Sequence, residues 1–166
     1  MKRILITGAG GFIGSHLARE LLHRGNFVRA VDVKWDGYLK EPYYSEKITL
    51  DLRQIENCLK TTKDIDQVYN LAANMGGIGF ITAVGAEVMY DNVLINANML
   101  QAAVENKIER FFFASSACVY PTFRQTDPNV TALKEEDAYP ADPDNFYGWE
   151  KLYSEKMCEA YNRWIC

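Results

Sequence analysis

Short apolar runs alternate with stretches in which apolar residues return every three or four positions, and this alternation continues from one end of the 166-residue chain to the other. The runs at 2–7, 27–32, 47–50, 67–71 and 110–115 have the length and the β-branched or aromatic content of buried strands. Between the first two, Ile13, Leu17 and Leu21 recur every four residues, which predicts a helix with those three on its buried face and Gly25 closing it. Residues 86–105 predict a long helix with Val88, Leu94, Ala97, Leu100 and Val104 near one face, and a second long helix runs from about Phe146 to Trp164. Residues 121–145 hold all but one of the prolines and several acids, the composition of a surface loop. Strand and helix patterns that alternate without repeats or linkers imply an α/β chain: one parallel sheet covered by helices on both faces.

The turn behind the first strand sharpens this. Gly8-Ala-Gly-Gly11-Phe12-Ile13-Gly14-Ser15 follows Ile4-Leu-Ile-Thr7 and opens the first helix, a G-x-x-G-x-x-G spacing close to the commoner G-x-G-x-x-G. A tight glycine turn at a helix N-terminus aims unpaired N–H groups and the positive end of the helix dipole at one point, where a pyrophosphate fits. Gly8, Gly11, Phe12, Ile13 and Gly14 are therefore cofactor-binding candidates. Asp32, at the end of the second strand, suits both hydroxyls of an adenosine ribose and repels a 2′-phosphate, so it favours NAD over NADP; Lys34 blurs that choice. The expected architecture is a Rossmann-type doubly wound parallel sheet, and the plainer alternative is an ordinary strand-turn-helix with a solvated Asp.

Composition narrows the classes. Apolar residues make up 48% of the chain, enough for one core, and the expected count is one domain over 1–166. A formal charge of -4 without a basic run argues against nucleic acid. No apolar stretch approaches the roughly 18 residues of a membrane span, and a first strand at residue 2 leaves no room for a signal peptide, so the expected location is cytoplasmic. Cys58, Cys118, Cys158 and Cys166 show no C-x-x-C or His-rich spacing, so no metal site is indicated and free thiols are expected.

Two segments lie beyond the carboxyl ends of the fourth and fifth strands, where such a fold places reactive groups: Asn70-Leu-Ala-Ala73 with Met75-Gly-Gly-Ile-Gly79, and Ala114-Ser-Ser-Ala-Cys-Val-Tyr120. Tyr147 and Lys151 form a third element, since a Tyr-x-x-x-Lys spacing puts both side chains on one helix face. An adjacent ammonium favours a phenolate, so Lys151 is expected to draw Tyr147 down towards a working general base, with Ser116 holding a substrate hydroxyl. A solvated surface pair is the competing reading. Cys118 also reads as a small residue packed at a strand end, and Gly76, Gly77 and Gly79 as a mobile turn. His16 and His23 receive no chemistry. Tyr43-Tyr44 and Glu135–Asp137 read as packing or solvated features.

The combination resembles the extended short-chain dehydrogenase/reductase family of NAD-dependent nucleotide-sugar epimerases and dehydratases, from Thr7-Gly-Ala-Gly-Gly-Phe-Ile-Gly14 to Tyr147-Gly-Trp-Glu-Lys151. Asp51-Leu-Arg-Gln-Ile-Glu-Asn-Cys-Leu59, Asn70-Leu-Ala-Ala-Asn-Met-Gly-Gly-Ile-Gly-Phe-Ile81 and Ser115-Ser-Ala-Cys-Val-Tyr-Pro121 resemble its epimerases of GDP-hexoses. The resemblance implies that Tyr147 takes the C4 hydroxyl proton while NAD takes the hydride. The resulting 4-keto sugar has acidic C–H bonds at C3 and C5, and an ordinary thiol, with a pKa of about 8.5, suits moving those protons. Cys118 is implied in that role. The resemblance further implies that Asp32, Asp51 and Leu52 hold the adenosine half and that Leu71, Ala72 and Ala73 line the cofactor. Gly76, Ser116, Ala117 and Cys118 would touch the hexose, and Lys151 the nicotinamide ribose. It also implies a homodimer through the helices near 86–105 and 147–163.

Family members continue into a sixth strand and a smaller C-terminal substrate domain that grips the nucleotide, and a second acid/base lysine belongs there. The ending Trp164-Ile165-Cys166 reads as a cut after a helix, so an incomplete dinucleotide domain is expected, with its own activity in question. The alternatives are a non-catalytic module that binds NAD or dimerises, and a 4-epimerase or 4,6-dehydratase of UDP- or dTDP-hexoses. The dehydratase ranks lower, because Ala117-Cys118 supplies no acid pair.

Overall fold

The computed structural model describes residues 1–40, 42–126 and 132–165, so Cys166 and part of the 121–145 segment lie outside the described residues. Five strands, β1 (Arg3–Thr7), β2 (Phe27–Asp32), β3 (Glu46–Thr49), β4 (Gln67–Asn70) and β5 (Arg110–Phe113), form one parallel sheet in the order β3-β2-β1-β4-β5. Each lies within two residues of its expected run. Five helices accompany them: α1 (Phe12–His23), α2 (Ile55–Thr62), α3 (Ile78–Ala83), α4 (Gly85–Glu105) and α5 (Phe146–Ile165). Among the described residues, no helix is long and apolar enough to cross a membrane.

Two compact units are distinguished. The first is Met1–Ala73 with Leu94–Ala114 and holds the sheet; the second is Asn74–Val93 with Ser115–Trp164.

In the first unit, Leu5, Val31, Leu52, Cys58, Ile65, Val68, Ile95, Met99 and Ala102 form one buried cluster, and Ile4, Ile6, Ala9, Ala18, Val28, Ala30 and Tyr43 form another. Burying a single Leu, Ile or Val side chain contributes about 1.5–3 kcal/mol, so the central strands carry much of the stability. Arg29 is a charged residue inside β2, yet it is satisfied: it pairs with Glu46 at 2.7 Å and donates to the carbonyls of Thr61 (2.8 Å) and Lys63 (2.7 Å). The strand order reverses between β1 and β4, whose last residues Thr7 and Asn70 are in register. Loops leaving that point frame the crevice where open parallel sheets bind ligands.

Several expectations change. The expected buried face of α1 is not Ile13, Leu17 and Leu21: Ile13 is 69% exposed, and the buried positions are Gly14, Ser15 and Ala18, with Leu17 and Leu21 partly covered. Small residues go inward because this helix lies so close to the glycine turn that larger ones would clash. Gly25 does close the helix, at φ +80°. Its N–H bonds Leu22 O and that of Asn26 bonds Leu21 O, a complete left-handed helix stop.

The buried rows of α4 are Val88, Asp91, Asn92, Ile95, Asn96, Met99, Leu100, Ala102 and Ala103, while Leu94, Ala97 and Val104 are only half-buried. Helices α2 and α3 were not expected. In α2 two of the buried positions are Thr61 and Thr62, whose hydroxyls bond to carbonyls one turn back. In α3, Gly79 sits inside a helix that Gly77 begins, so these glycines form more than a turn. The described parts of the 121–145 segment are tied together by a Pro121–Pro143 bridge and the Thr122 N–H to Asp142 O, and they contain two short 3-10 turns.

Candidate functional site

The first unit builds a cradle around the glycine turn. Gly8 has φ +66°, and a Cβ there would lie 2.8 Å from the Leu71 backbone; one on Gly14 would lie 2.2 Å from Gly8 O. Gly11 differs, because a Cβ on it would meet only Gly8 O, at 3.3 Å. Protein packing therefore explains Gly8 and Gly14, whereas the space at Gly11 suits a close-lying pyrophosphate. Gly11 is the N-cap of α1 without a side-chain cap, and the first helical turn carries no acid, which suits an anion at the helix N-terminus. Phe12 and Ile13 stand exposed on that turn. These residues fit a dinucleotide.

Asp32 sits beside the turn, where its carboxylate accepts the Gly10 N–H (2.9 Å) and the Lys34 N–H (3.1 Å). Lys34 pairs with Asp36 at 2.8 Å, so its charge is already engaged. Asp51 is gripped by Arg53, which holds its carboxyl below the usual range, and the Leu52 side chain lies in the core, leaving only its backbone to meet a ligand. The half-buried Leu71–Ala73 segment is fixed by a chain that the sequence did not reveal. Leu71 and Ala72 N–H both donate to Thr7 Oγ1 (3.0 Å each), Thr7 donates to Asn70 Oδ1 (2.8 Å), and Asn70 donates to Asn96 (2.9 Å).

The second unit gathers the acid/base candidates. Ser116 caps the 3-10 turn Ala117–Val119 by accepting the Cys118 N–H at 3.2 Å, and its hydroxyl lies near enough to the Tyr147 phenol to favour the phenolate. Half-buried Cys118 packs against the cluster of Ile81, Val88 and Tyr147. Ala117 is exposed, and Gly76 lies against the Phe80 ring.

Tyr147 and Lys151 are both buried, at 4% exposure each, which removes the surface-pair reading. Burial pushes the Tyr147 phenol above its ordinary value; the Glu150 carboxylate and Cys118 add to this, and the Ser116 hydroxyl draws it back. The expected net fall is therefore not found, because burial moves the phenol the other way. The ammonium lies over the ring face, 5.4 Å from the centroid.

Gly148 makes this cluster possible: a Cβ there would lie 2.2 Å from Cys118 O and 2.9 Å from the Pro143 Cβ. Gly148→Ala is therefore expected to destabilise the protein by about 1–3 kcal/mol, the usual range for overpacking, despite alanine's better helix propensity. An unchanged midpoint in urea unfolding would contradict that close approach. Sequence reasoning missed Gly148, Asn92 and Glu150; Gly148 and Glu150 were visible only as fillers of the Tyr-x-x-x-Lys spacing.

The model of the NAD dependent epimerase/dehydratase family matches residues 4–164. GDP-mannose 3,5-epimerase of Arabidopsis thaliana is 51% identical over 162 residues, covering 97% of this chain and 43% of the relative. GDP-L-fucose synthase of Escherichia coli is 29% identical over 98% of this chain and 46% of its own length. This chain thus spans less than half the length of these curated relatives. Among solved structures, UDP-N-acetylglucosamine 4-epimerase of Methanobrevibacter ruminantium superposes with a TM-score of 0.84 at 27% identity, over 99% of this chain and 51% of that one. UDP-glucose 4-epimerase of Thermus thermophilus, solved with NAD, gives 0.83 at 26% identity, over 98% and 51%. With that match and the glycine cradle together, the chain belongs to the NAD dependent epimerase/dehydratase family.

Proposed function

We propose that this chain is the dinucleotide-binding and proton-transfer part of a GDP-mannose 3,5-epimerase. The observation that carries the reading is the packing of Cys118 with Tyr147 and Ser116 in one small cluster, in a chain half identical to such enzymes. In this reading Gly8, Gly11 and Gly14 would hold NAD, which when bound would supply the hydride acceptor for C4 of the hexose and the hydride for its re-reduction.

The chain's own residues move the protons. Ser116 holds the C4 hydroxyl and Tyr147, in its phenolate form, takes the proton, with the nearby Lys151 ammonium offsetting the phenolate charge. Burial favours the neutral phenol, so the base form gains population as pH rises, and the phenol that results is the acid that returns the proton when the ketone is reduced. Cys118 moves the protons at C3 and C5, which the 4-ketone acidifies. Gly76 and Ala117 border the sugar, and Asp32 takes the adenosine ribose.

A homodimer through α4 and α5 accompanies this reading, and Tyr90, Trp149 and Tyr153 stand exposed on those helices. A cytoplasmic location agrees with Cys58, Cys118 and Cys158 being free thiols.

The test is incubation with NAD and GDP-mannose in deuterated water. Label at both C3 and C5 supports the proposal. Oxidation at C4 with label at neither position shows a simple 4-epimerase, and no turnover shows a module that only binds.

A further inference from the structure

Glu150 has no solvent exposure, and none of the proton transfers above uses it. Its surroundings are specific. Asn92 uses its side-chain carbonyl to accept the Asn74 N–H (2.6 Å) and its side-chain amide to donate to Asn74 O (3.2 Å) and to Glu150 Oε1 (3.0 Å). Both amide hydrogens of Asn92 are thereby engaged, which fixes it as a donor towards Glu150, and Ser154 adds a second hydrogen bond one turn along α5. Lys151 is the next residue and is itself buried, with its ammonium over the Tyr147 ring.

We propose that Glu150 is a positioning residue for the Tyr147–Lys151 pair: its carboxylate is the buried counter-charge that keeps Lys151 an ammonium above the tyrosine ring. The inference rests on the reading of Tyr147 and Lys151 as the proton-transfer pair, and deepens it. A buried ammonium tends to lose its proton, because the charged form is the one that burial penalises. Burial does draw Lys151 below its ordinary value, and Glu150 opposes this; burial raises Glu150, and Lys151 opposes that in turn. The other titratable groups of the cluster are Tyr147 on the same helix, Cys118 on the 3-10 turn and Asp91 beside Asn92 on α4. Neither Cys118 nor Asp91 brings a positive charge, whereas Lys151 adjoins Glu150 on α5 and is buried with it.

The test is an NMR pH titration of the full chain with lysine labelled at Cε, with Lys151 assigned by substitution. In Glu150→Gln, whose side chain can still accept from Asn92, the Lys151 midpoint should fall by about one pH unit or more, a roughly tenfold loss of proton affinity. Glu150→Asp, which retains the charge, should hold most of the wild-type value. A carboxyl with only a structural role leaves Lys151 unmoved in the glutamine variant, and that result overturns the proposal.

If the glutamine variant does not fold, the wild type decides. The labelled Glu150 carboxyl must show a second inflection at the Lys151 midpoint, and a single-step curve overturns the proposal. None of these readouts needs turnover. A shifted Lys151 with no sugar labelling leaves Glu150 in its role and removes the epimerase reading, whereas labelled sugar with an unmoved Lys151 does the opposite.

Discussion

Replacing Tyr147 by phenylalanine is expected to lower both deuterium incorporation into GDP-mannose and hydride transfer at C4 by about 10²–10⁴, the range for losing a positioned acid/base group. The substitution removes one oxygen from a ring that is otherwise packed against Ile81, Val88 and Cys118, and that packing survives. Lys151 keeps the face of a ring to lie over, because phenylalanine also offers a π cloud. The lost oxygen is the one near the Ser116 hydroxyl, so a folded variant isolates the proton transfer itself. Hydride transfer at the wild-type rate in a folded Tyr147→Phe protein would remove Tyr147 from the reaction.

Cys118→Ala is expected to separate the two halves of the chemistry. Exchange at C3 and C5 should fall by about 10²–10⁴, while oxidation at C4 stays within about tenfold of wild type. Only the sulfur is lost, since the backbone of Cys118 is anchored independently: its N–H bonds Ser116 Oγ at 3.2 Å, and its carbonyl lies where Gly148 allows α5 to approach. Tyr147 and Ser116 should therefore keep their places. The measurement is label at each carbon by mass spectrometry or proton NMR, alongside the NADH absorbance formed on mixing. Undiminished exchange would assign the C3 and C5 protons to another group.

The strands could be read from the sequence because the central strands of a parallel sheet are buried on both faces and their runs are largely apolar, as in Ile4–Ile6 and, apart from the paired Arg29, Val28–Val31. The glycine turn was legible for a related reason: few other residues can follow the backbone where Gly8 meets Leu71. What escaped was buried polarity. Asp91, Asn92 and Asn96 on α4 and Thr61 and Thr62 on α2 face inward, yet a pattern of apolar letters assigns such residues to solvent.

The Tyr-x-x-x-Lys spacing correctly placed two side chains on one helix face. It carried no information on burial, and burial is what reverses the direction in which the phenol moves.

The triangle of Gly10, Asp32 and Lys34 bears on any attempt to redesign this protein for a phosphorylated ribose. Removing the aspartate would take away the repulsion, but it would also strip the Gly10 amide of its anchor and slacken the loop meant to grip the diphosphate. The lysine that should welcome the new phosphate would have to exchange its exposed contact with Asp36 for it. Switching cofactor preference here is thus a coupled problem, in which the discriminating side chain doubles as a strut and no single exchange can separate the two duties.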